Sequence, residues 1–181
     1  MPTLSDLARL CSRLGYQFSS IELLKQALTH RSASIINNER LEFLGDAVLD
    51  LVVGEELYLR FPEATEGELT RLRSLLVKGK TLARLAEELD IGSCLVLGPG
   101  EVKTGGNRRE SILADALEAI LGAIFLESGL DACRHRMRAW LASRLDKITL
   151  DVDERDSKTR LQELLQARAQ PLPVYEVIAA E

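Results

Sequence analysis

The 181-residue sequence has few aromatic residues, cysteines and histidines. Aromatics make up 4%, and there are three cysteines and two histidines. Cys11, Cys94 and Cys133 are far apart and lack CxxC spacing, so we expect neither a disulfide framework nor a zinc cage. With only His30 and His135 available, a bound metal would have to be held mainly by oxygen atoms.

Long apolar runs are missing as well. No stretch approaches the roughly 20 apolar residues that a membrane-spanning helix needs. The first residues, MPTLSDLARLCSRLG, include an early acid and lack the apolar core of a secretory signal. We therefore expect a cytoplasmic protein with no membrane partner.

The chain also lacks a positive balance of charge, because 23 Lys and Arg face 28 Asp and Glu and give a net charge of −5. Proteins that bind nucleic acids are usually basic overall. A nucleic-acid function would therefore have to rest on local basic clusters and on metal ions that offset the acids.

Abundant Leu, Ala and Glu favour helices. Apolar spacing predicts one long buried helix over 38–61, ended by Pro62, and a charged helix over 66–90 that is broken near Gly79. A glycine-rich loop follows, and a second buried helix and an amphipathic helix cover 110–148. Strand signals are scarce before this point, so the fold class predicted for residues 1–148 is all-α.

The last part of the chain has a different pattern. Residues 149–156 are polar and read as a linker. Residues 157–181 contain a short helical pattern and then a strand pattern. One helix and one strand cannot bury a core alone. We therefore predict that 157–181 begin an α/β domain and that position 181 is a truncation.

Acids lie on one face of each predicted buried helix. Glu39, Glu42 and Asp46 follow one another at steps of three and four, and Asp115 and Glu118 are three apart. Carboxylates are costly to bury unless something positive meets them, and carboxylate oxygens suit Mg²⁺ or Mn²⁺. On spacing alone, a metal site and satisfied structural acids are equal alternatives.

Gly45 and Gly122 lie inside the same two helices. Each costs about 1 kcal/mol relative to alanine in a helix interior. We expect them to allow close approach of the helices, which would bring the two acid faces together; a local kink is the alternative.

The motif NERLEFLGD, residues 38–46, resembles the signature of the ribonuclease III endonucleases. Segments 28–32, 66–73 and 105–119 are similar to that family in the same order. Residues 156–166 are similar to the first helix of the double-stranded-RNA-binding domain that follows the nuclease domain in bacterial members. The resemblance therefore covers nearly the whole chain.

The resemblance implies an all-α ribonuclease III nuclease domain over 1–148 that forms a homodimer, followed by the truncated start of an α/β double-stranded-RNA-binding domain. It implies Mg²⁺-dependent cleavage of double-stranded RNA, with Mn²⁺ substituting. The expected products carry 5′-phosphates, 3′-hydroxyls and short 3′ overhangs. The expected substrates are ribosomal RNA precursors and structured messenger RNAs.

The resemblance also implies roles for individual residues. Those expected to be catalytic and to bind the metal are the carboxylates Glu42, Asp46, Asp115 and Glu118. A second pair of acids expected to line the cleft is Glu39 and Glu66. The aromatic side chain expected to enter a socket of the partner subunit is Phe43.

Two further groups are candidates for RNA contact, although solvated polar surfaces are the alternative for both. The basic residues flanking the loop glycines are Lys103, Arg108 and Arg109, which we expect to approach phosphates. The residues sharing one face of the tail helix are Thr159, Gln162 and Gln166, which can reach ribose 2′-hydroxyls in a wide minor groove.

Other chemistries fit less well. The VKGKT segment lacks the first glycine of a phosphate-binding loop, because that position is Ser74, so no nucleotide cofactor is expected. We interpret His30 as a structural hydrogen-bonding residue. The rival functions are a non-cleaving RNA-binding module and a purely structural helical dimer, and neither explains a buried acid cluster that would repel phosphate.

Overall fold

The structure is a computed structural model that describes residues 2–148, 165, 166, 168, 170 and 171. The chain divides into two units, Met1–Lys147 and Ile148–Glu181. The helices of the first unit are α1 (Leu4–Leu14), α2 (Ile21–Ala27), α3 (Glu39–Arg60), α4 (Glu66–Val77), α5 (Gly79–Glu88), α6 (Pro99–Lys103) and α7 (Glu110–Leu145), with 3₁₀ turns at Ile91–Cys94 and Gly106–Arg108.

The described residues contain no β-strand, and their one isolated β-bridge joins Thr29 to Val96. None of the described helices is long and apolar enough to cross a bilayer. The all-α prediction for residues 1–148 is confirmed over the described range.

Local signals account for the main helix boundaries. In α4, Thr65 and Glu68 form a reciprocal capping box that satisfies backbone N–H groups at its start. The predicted break falls at Lys78, whose extended backbone (ψ 141°) separates α4 from α5. Helix α3 ends just before Pro62, as predicted.

Helix α7 joins the two helices predicted over 110–148. They are separated at Gly129, whose φ of 75° and ψ of −173° are not helical. A glycine adopts this backbone conformation without the steric cost of a Cβ atom. Every residue from 112 to 124 in the first half of α7 is buried or half-buried, whereas the second half buries one face around Cys133, Met137 and Trp140.

The packing of α3 against the first half of α7 forms the centre of the unit. A Cβ atom built on Gly45 would lie 1.8 Å from the carbonyl oxygen of Glu118. One built on Gly122 would lie 2.2 Å from the carbonyl oxygen of Leu41. The predicted close approach is therefore confirmed, since no larger residue fits at either position.

All three cysteines are free and buried, in agreement with the prediction that they form no disulfide framework. They pack as small apolar side chains. Their burial places them in the same core as the fully buried leucines of α1, α2 and α5.

Candidate active site

Three of the predicted acids meet where α3 lies against α7. One carboxylate oxygen from each of Glu42, Asp115 and Glu118 lies within 4.8 Å of the other two. All three side chains are half-buried. The glycine contacts hold the helices close enough for acids from both to share this site, which we call the acid cluster.

Burial raises the pKa of every member of the acid cluster, and repulsion by neighbouring acids adds to this rise for Glu42 and Glu118. For Glu118, burial followed by the charges of the neighbouring acids, Asp46 first, raises the pKa to about 8. Burial raises the pKa of Glu42, with Asp115 adding to the effect. Burial also raises the pKa of Asp115, opposed by the charges of His30 and Arg31.

The donor set of the acid cluster fits a hard divalent cation. Its ligand atoms are all carboxylate oxygens, and none of the three acids forms an ion pair with a basic side chain of the described residues. A divalent cation would relieve the repulsion that, after burial, raises the pKa of Glu42 and Glu118. The part of the chain that the structure describes therefore holds a site compatible with a divalent metal.

Asp46 lies one turn farther along α3 than Glu42 and is exposed. It is outside the three-residue group, although its charge raises the pKa of Glu118. Asp50, another turn along, also raises the pKa of Glu118 and lies 3.9 Å from Arg73. Asp50 was not among the residues expected at the site, yet the spacing 42, 46 and 50 places all three acids on one helical face.

A polar cleft of about 420 Å³ adjoins the acid cluster. Glu42 and Asp115 belong to its lining, which makes the cleft continuous with the cluster. Its other walls include His30, Arg31 and Arg109, contributed by the loop after α2 and the residue before α7. Acids and cations thus line the same cleft, an arrangement that suits an anionic ligand beside a divalent metal.

A ribonuclease-III-like family model matches residues 20–145, the span that contains the acid cluster. The Ribonuclease 3 of Shewanella sp. strain W3-18-1 is 56% identical over all 181 residues, which correspond to 80% of its own length. The chain belongs to the ribonuclease III family. Membership makes it an endoribonuclease and supports endonucleolytic activity on double-stranded RNA.

Solved ribonuclease III structures agree with this assignment. The nuclease domain of ribonuclease III from Campylobacter jejuni is 43% identical and has a TM-score of 0.77, covering 81% of this chain and 100% of that domain. A second structure of that domain, 44% identical with a TM-score of 0.76, covers 77% of this chain and 99% of that one. It concerns structural flexibility in a region involved in dimer formation of that protein.

Of the two acids expected to line the ribonuclease III cleft, only one lies among the described residues of its lining. Glu39, the first residue of α3, does line it and lies 3.3 Å from Arg31. Glu66 begins α4, is exposed and accepts a hydrogen bond of 3.0 Å from the Thr70 hydroxyl. Glu66 is not among the described residues that line the cleft of one chain.

The basic candidates for RNA contact also differ. Arg109 lines the cleft, pairs with Glu101 at 2.9 Å and donates to the Thr104 hydroxyl at 3.2 Å. Lys103 and Arg108 are exposed outside the cleft. In the tail, Gln166 is exposed.

Two tail candidates, Thr159 and Gln162, lie outside the described residues. The expected linker and most of the expected second domain lie there too.

The aromatic residue of the ribonuclease III signature is on the outside of the chain. Phe43 is 81% exposed, an unusual position for a large apolar side chain in the middle of a motif. It lines an apolar groove of about 610 Å³ together with Leu23, Leu44 and Leu126. Sequence spacing alone did not reveal this groove, because its walls come from three helices.

Proposed function

We propose that the protein is a Mg²⁺-dependent endonuclease that hydrolyses phosphodiester bonds of double-stranded RNA. The observation that carries the proposal is the acid cluster, in which oxygens of Glu42, Asp115 and Glu118 lie within 4.8 Å of one another. We assign these three residues and the adjacent Asp46 as catalytic metal ligands. Mn²⁺ is expected to substitute, because all the donors are carboxylate oxygens.

When bound, Mg²⁺ supplies Lewis-acid stabilisation of phosphoryl oxygens and lowers the pKa of water. The residues of the chain bind and orient. Glu118, with a pKa of about 8, loses its proton to become a ligand. Arg31 and Arg109, on the cleft walls, offset phosphate charge. Lys103 and Arg108 extend this positive charge outward, and Glu39 and Glu66 assist placement of the scissile bond.

The active form is proposed to be a homodimer whose two sites cut opposite strands and leave 5′-phosphates, 3′-hydroxyls and short 3′ overhangs. The exposed Phe43 and its apolar groove support dimerisation, because such a surface is costly to leave in water. The region involved in dimer formation of the Campylobacter jejuni domain supports it further.

Residues 1–148 are proposed as the nuclease domain, 149–156 as a linker and 157–181 as the beginning of a double-stranded-RNA-binding domain. Within that last segment, Thr159, Gln162 and Gln166 are proposed to contact ribose 2′-hydroxyls. The proposed cellular substrates are ribosomal RNA precursors and structured messenger RNAs in the cytoplasm.

The test is gel analysis of a long RNA duplex incubated with the protein at low salt. Low salt compensates for the acidic balance of the chain, because phosphate contacts weaken steeply as salt rises. The reactions contain Mg²⁺, or chelator, or Mg²⁺ with Glu118→Gln. The matched control is Glu87→Gln, a change at an exposed glutamate of α5.

The nuclease proposal is supported if the long duplex is cut to short duplexes only when both Mg²⁺ and Glu118 are present, and if Glu87→Gln cuts it as well as wild type does. End analysis of the products should then show 5′-phosphates. A duplex that is shifted but uncut under all conditions would support the RNA-binding module instead.

A further inference from the structure

The turn that follows α2 holds His30 firmly at the edge of the cleft. The His30 backbone N–H donates to the carbonyl oxygen of Val96 at 3.0 Å, and Ala33 donates to the His30 carbonyl at 2.9 Å. The Asn38 N–H donates to the carbonyl oxygen of Thr29 at 2.9 Å, so the turn is also tied to the start of α3. These bonds fix the backbone that carries the imidazole ring.

A second set of hydrogen bonds fixes the ring. The backbone N–H of Ser32 donates to His30 Nδ1 at 3.2 Å. The Ser32 hydroxyl accepts from the N–H of Gly98 at 2.9 Å and lies 2.8 Å from Nδ1. Because Nδ1 accepts from the backbone N–H of Ser32, the proton of the ring lies on Nε2.

Gly98 makes this arrangement possible. A Cβ atom on Gly98 would lie 2.3 Å from the carbonyl oxygen of Ser32, so the loop before α6 can approach Ser32 only as glycine. The anchored edge of the His30 ring is thereby built by two separate loops. Preorganisation of this kind is typical of groups that must present one atom in a fixed direction.

The other nitrogen, Nε2, has no hydrogen-bond acceptor among the described residues, although His30 lines the cleft together with Asp115. The two arginines of the cleft are engaged, Arg31 with Glu39 and Arg109 with Glu101. The Nε2–H group can therefore donate to a ligand in the cleft without breaking an ion pair, whereas each arginine would have to leave its carboxylate.

We propose that His30 contacts the substrate: its Nε2–H donates a hydrogen bond to an oxygen of the RNA backbone, from a phosphate or a ribose hydroxyl, in the strand held at the acid cluster. This inference rests on the proposed nuclease function. Hydrogen bonds to phosphate oxygens are among the stronger ones because the acceptor is charged, and the fixed ring makes the contact without reorganisation. It adds a second role to the structural one expected from the sequence.

Two substitutions at His30 test the roles of Nδ1 and Nε2 separately. His30→Asn places an amide oxygen near the position of Nδ1, which keeps the acceptor for Ser32 and removes the donor to the cleft. His30→Gln can place an amide N–H near the position of Nε2, which keeps the donor and loses the anchor. His135→Asn is the matched control, because His135 is exposed on α7.

The measurements are kcat and KM for cleavage of an RNA duplex with Mg²⁺, and Tm for each variant. We expect His30→Asn to lower kcat/KM about tenfold to a hundredfold with an unchanged Tm. We expect His30→Gln to lower Tm but to restore kcat/KM to within about threefold of wild type. Unchanged cleavage by His30→Asn, or losses by both variants that follow their Tm, would overturn the proposal.

The source of the oxygen is identified with duplexes that carry one 2′-deoxyribose or one phosphorothioate near the scissile bond. If His30 contacts a ribose, the loss of kcat/KM caused by His30→Asn should disappear on one of the 2′-deoxy duplexes. If it contacts a phosphate, the loss should disappear on one of the phosphorothioate duplexes. An undiminished effect across both series would overturn the contact. Failure of the wild-type protein to cut any duplex would instead contradict the nuclease function.

Discussion

The two ends of α3 face α7 with opposite electrostatics. At its beginning, Glu42 meets Asp115 and Glu118, and no described basic side chain forms an ion pair with the three. At its end, acids of α3 meet arginines of the second half of α7 in the pairs Glu55–Arg134 at 2.5 Å and Glu56–Arg138 at 2.6 Å. The same two helices thus contain a repulsive contact and an attractive one. We call the beginning of α3, at Glu42, the repulsive end and the part at Glu55 and Glu56 the attractive end.

This difference assigns the ion pairs at the end of α3 to stability and the acids at its beginning to function. The second half of α7 shows that the sequence can place arginines opposite acids wherever a contact only has to hold the helices together. The first half instead brings acids together in a half-buried position and raises their pKa values. Such local conflict within an otherwise consistent fold is expected where a charged ligand completes the site.

The largest expected effect comes from removing a charge from the repulsive end. Glu118→Gln should lower kcat for RNA cleavage about a thousandfold, because one metal ligand and its charge are lost. Glu56→Gln, the same chemical change at the attractive end, should leave kcat within about twofold because it touches no part of the acid cluster. Single-turnover cleavage assays measure both variants. Equal losses of kcat would contradict the assignment of catalysis to the repulsive end alone.

The next effect concerns the glycine contact that makes the repulsive end possible. Gly45→Ala should cost about 3 kcal/mol of unfolding free energy, because its Cβ would meet the Glu118 carbonyl and force α3 from α7. Gly54→Ala is the control in the same helix. Its Cβ would meet nothing within 4 Å, and the change should stabilise by about 0.5–1 kcal/mol. Urea denaturation compares the two, and a Gly45→Ala protein as stable as wild type would show that the helices can move apart freely.

Much of this organisation could be predicted from the sequence because it depends on local periodicity. The helical pattern of 38–61, the stop at Pro62 and the break beside Gly79 all follow from interactions within a few residues. The glycines in the two acid helices predicted the close approach, since glycine inside a buried helix has a cost that packing must explain.

What could not be predicted depends on which distant segments meet. Nothing in the spacing of the chain indicated that His30 would be anchored by Gly98, or that Arg109 would share a cleft with it. Nor did the spacing indicate that Glu56, which is only 20% exposed, would pair with Arg138. Helical spacing identifies residues on one face of one helix, whereas ion pairs between helices require the tertiary structure.

A third, smaller effect is the pH dependence of stability without metal. The pKa of Glu118 is about 8 in the folded chain, against an ordinary value of 4.5. Between these values the folded state holds a proton that the unfolded state has released, so stability should fall as pH rises from 5 to 8. Thermal unfolding in chelator should show this fall in wild type and a weaker one in Glu118→Gln. Identical pH slopes would mean that Glu118 is not the responsible group.

The smallest expected effect is at the attractive end. A double-mutant cycle on Glu56 and Arg138 should give a favourable coupling of about 0.5 kcal/mol, because Arg138 is 55% exposed and the pair is screened by water. The matching cycle on Glu42 and Glu118 in chelator at pH 9 should give a coupling of opposite sign, because each substitution relieves the repulsion felt by the other residue. Added Mg²⁺ should reverse the sign of the second coupling and leave the first unchanged. Two couplings of the same sign in chelator would mean that the acid cluster is held together by the chain alone and needs no cation.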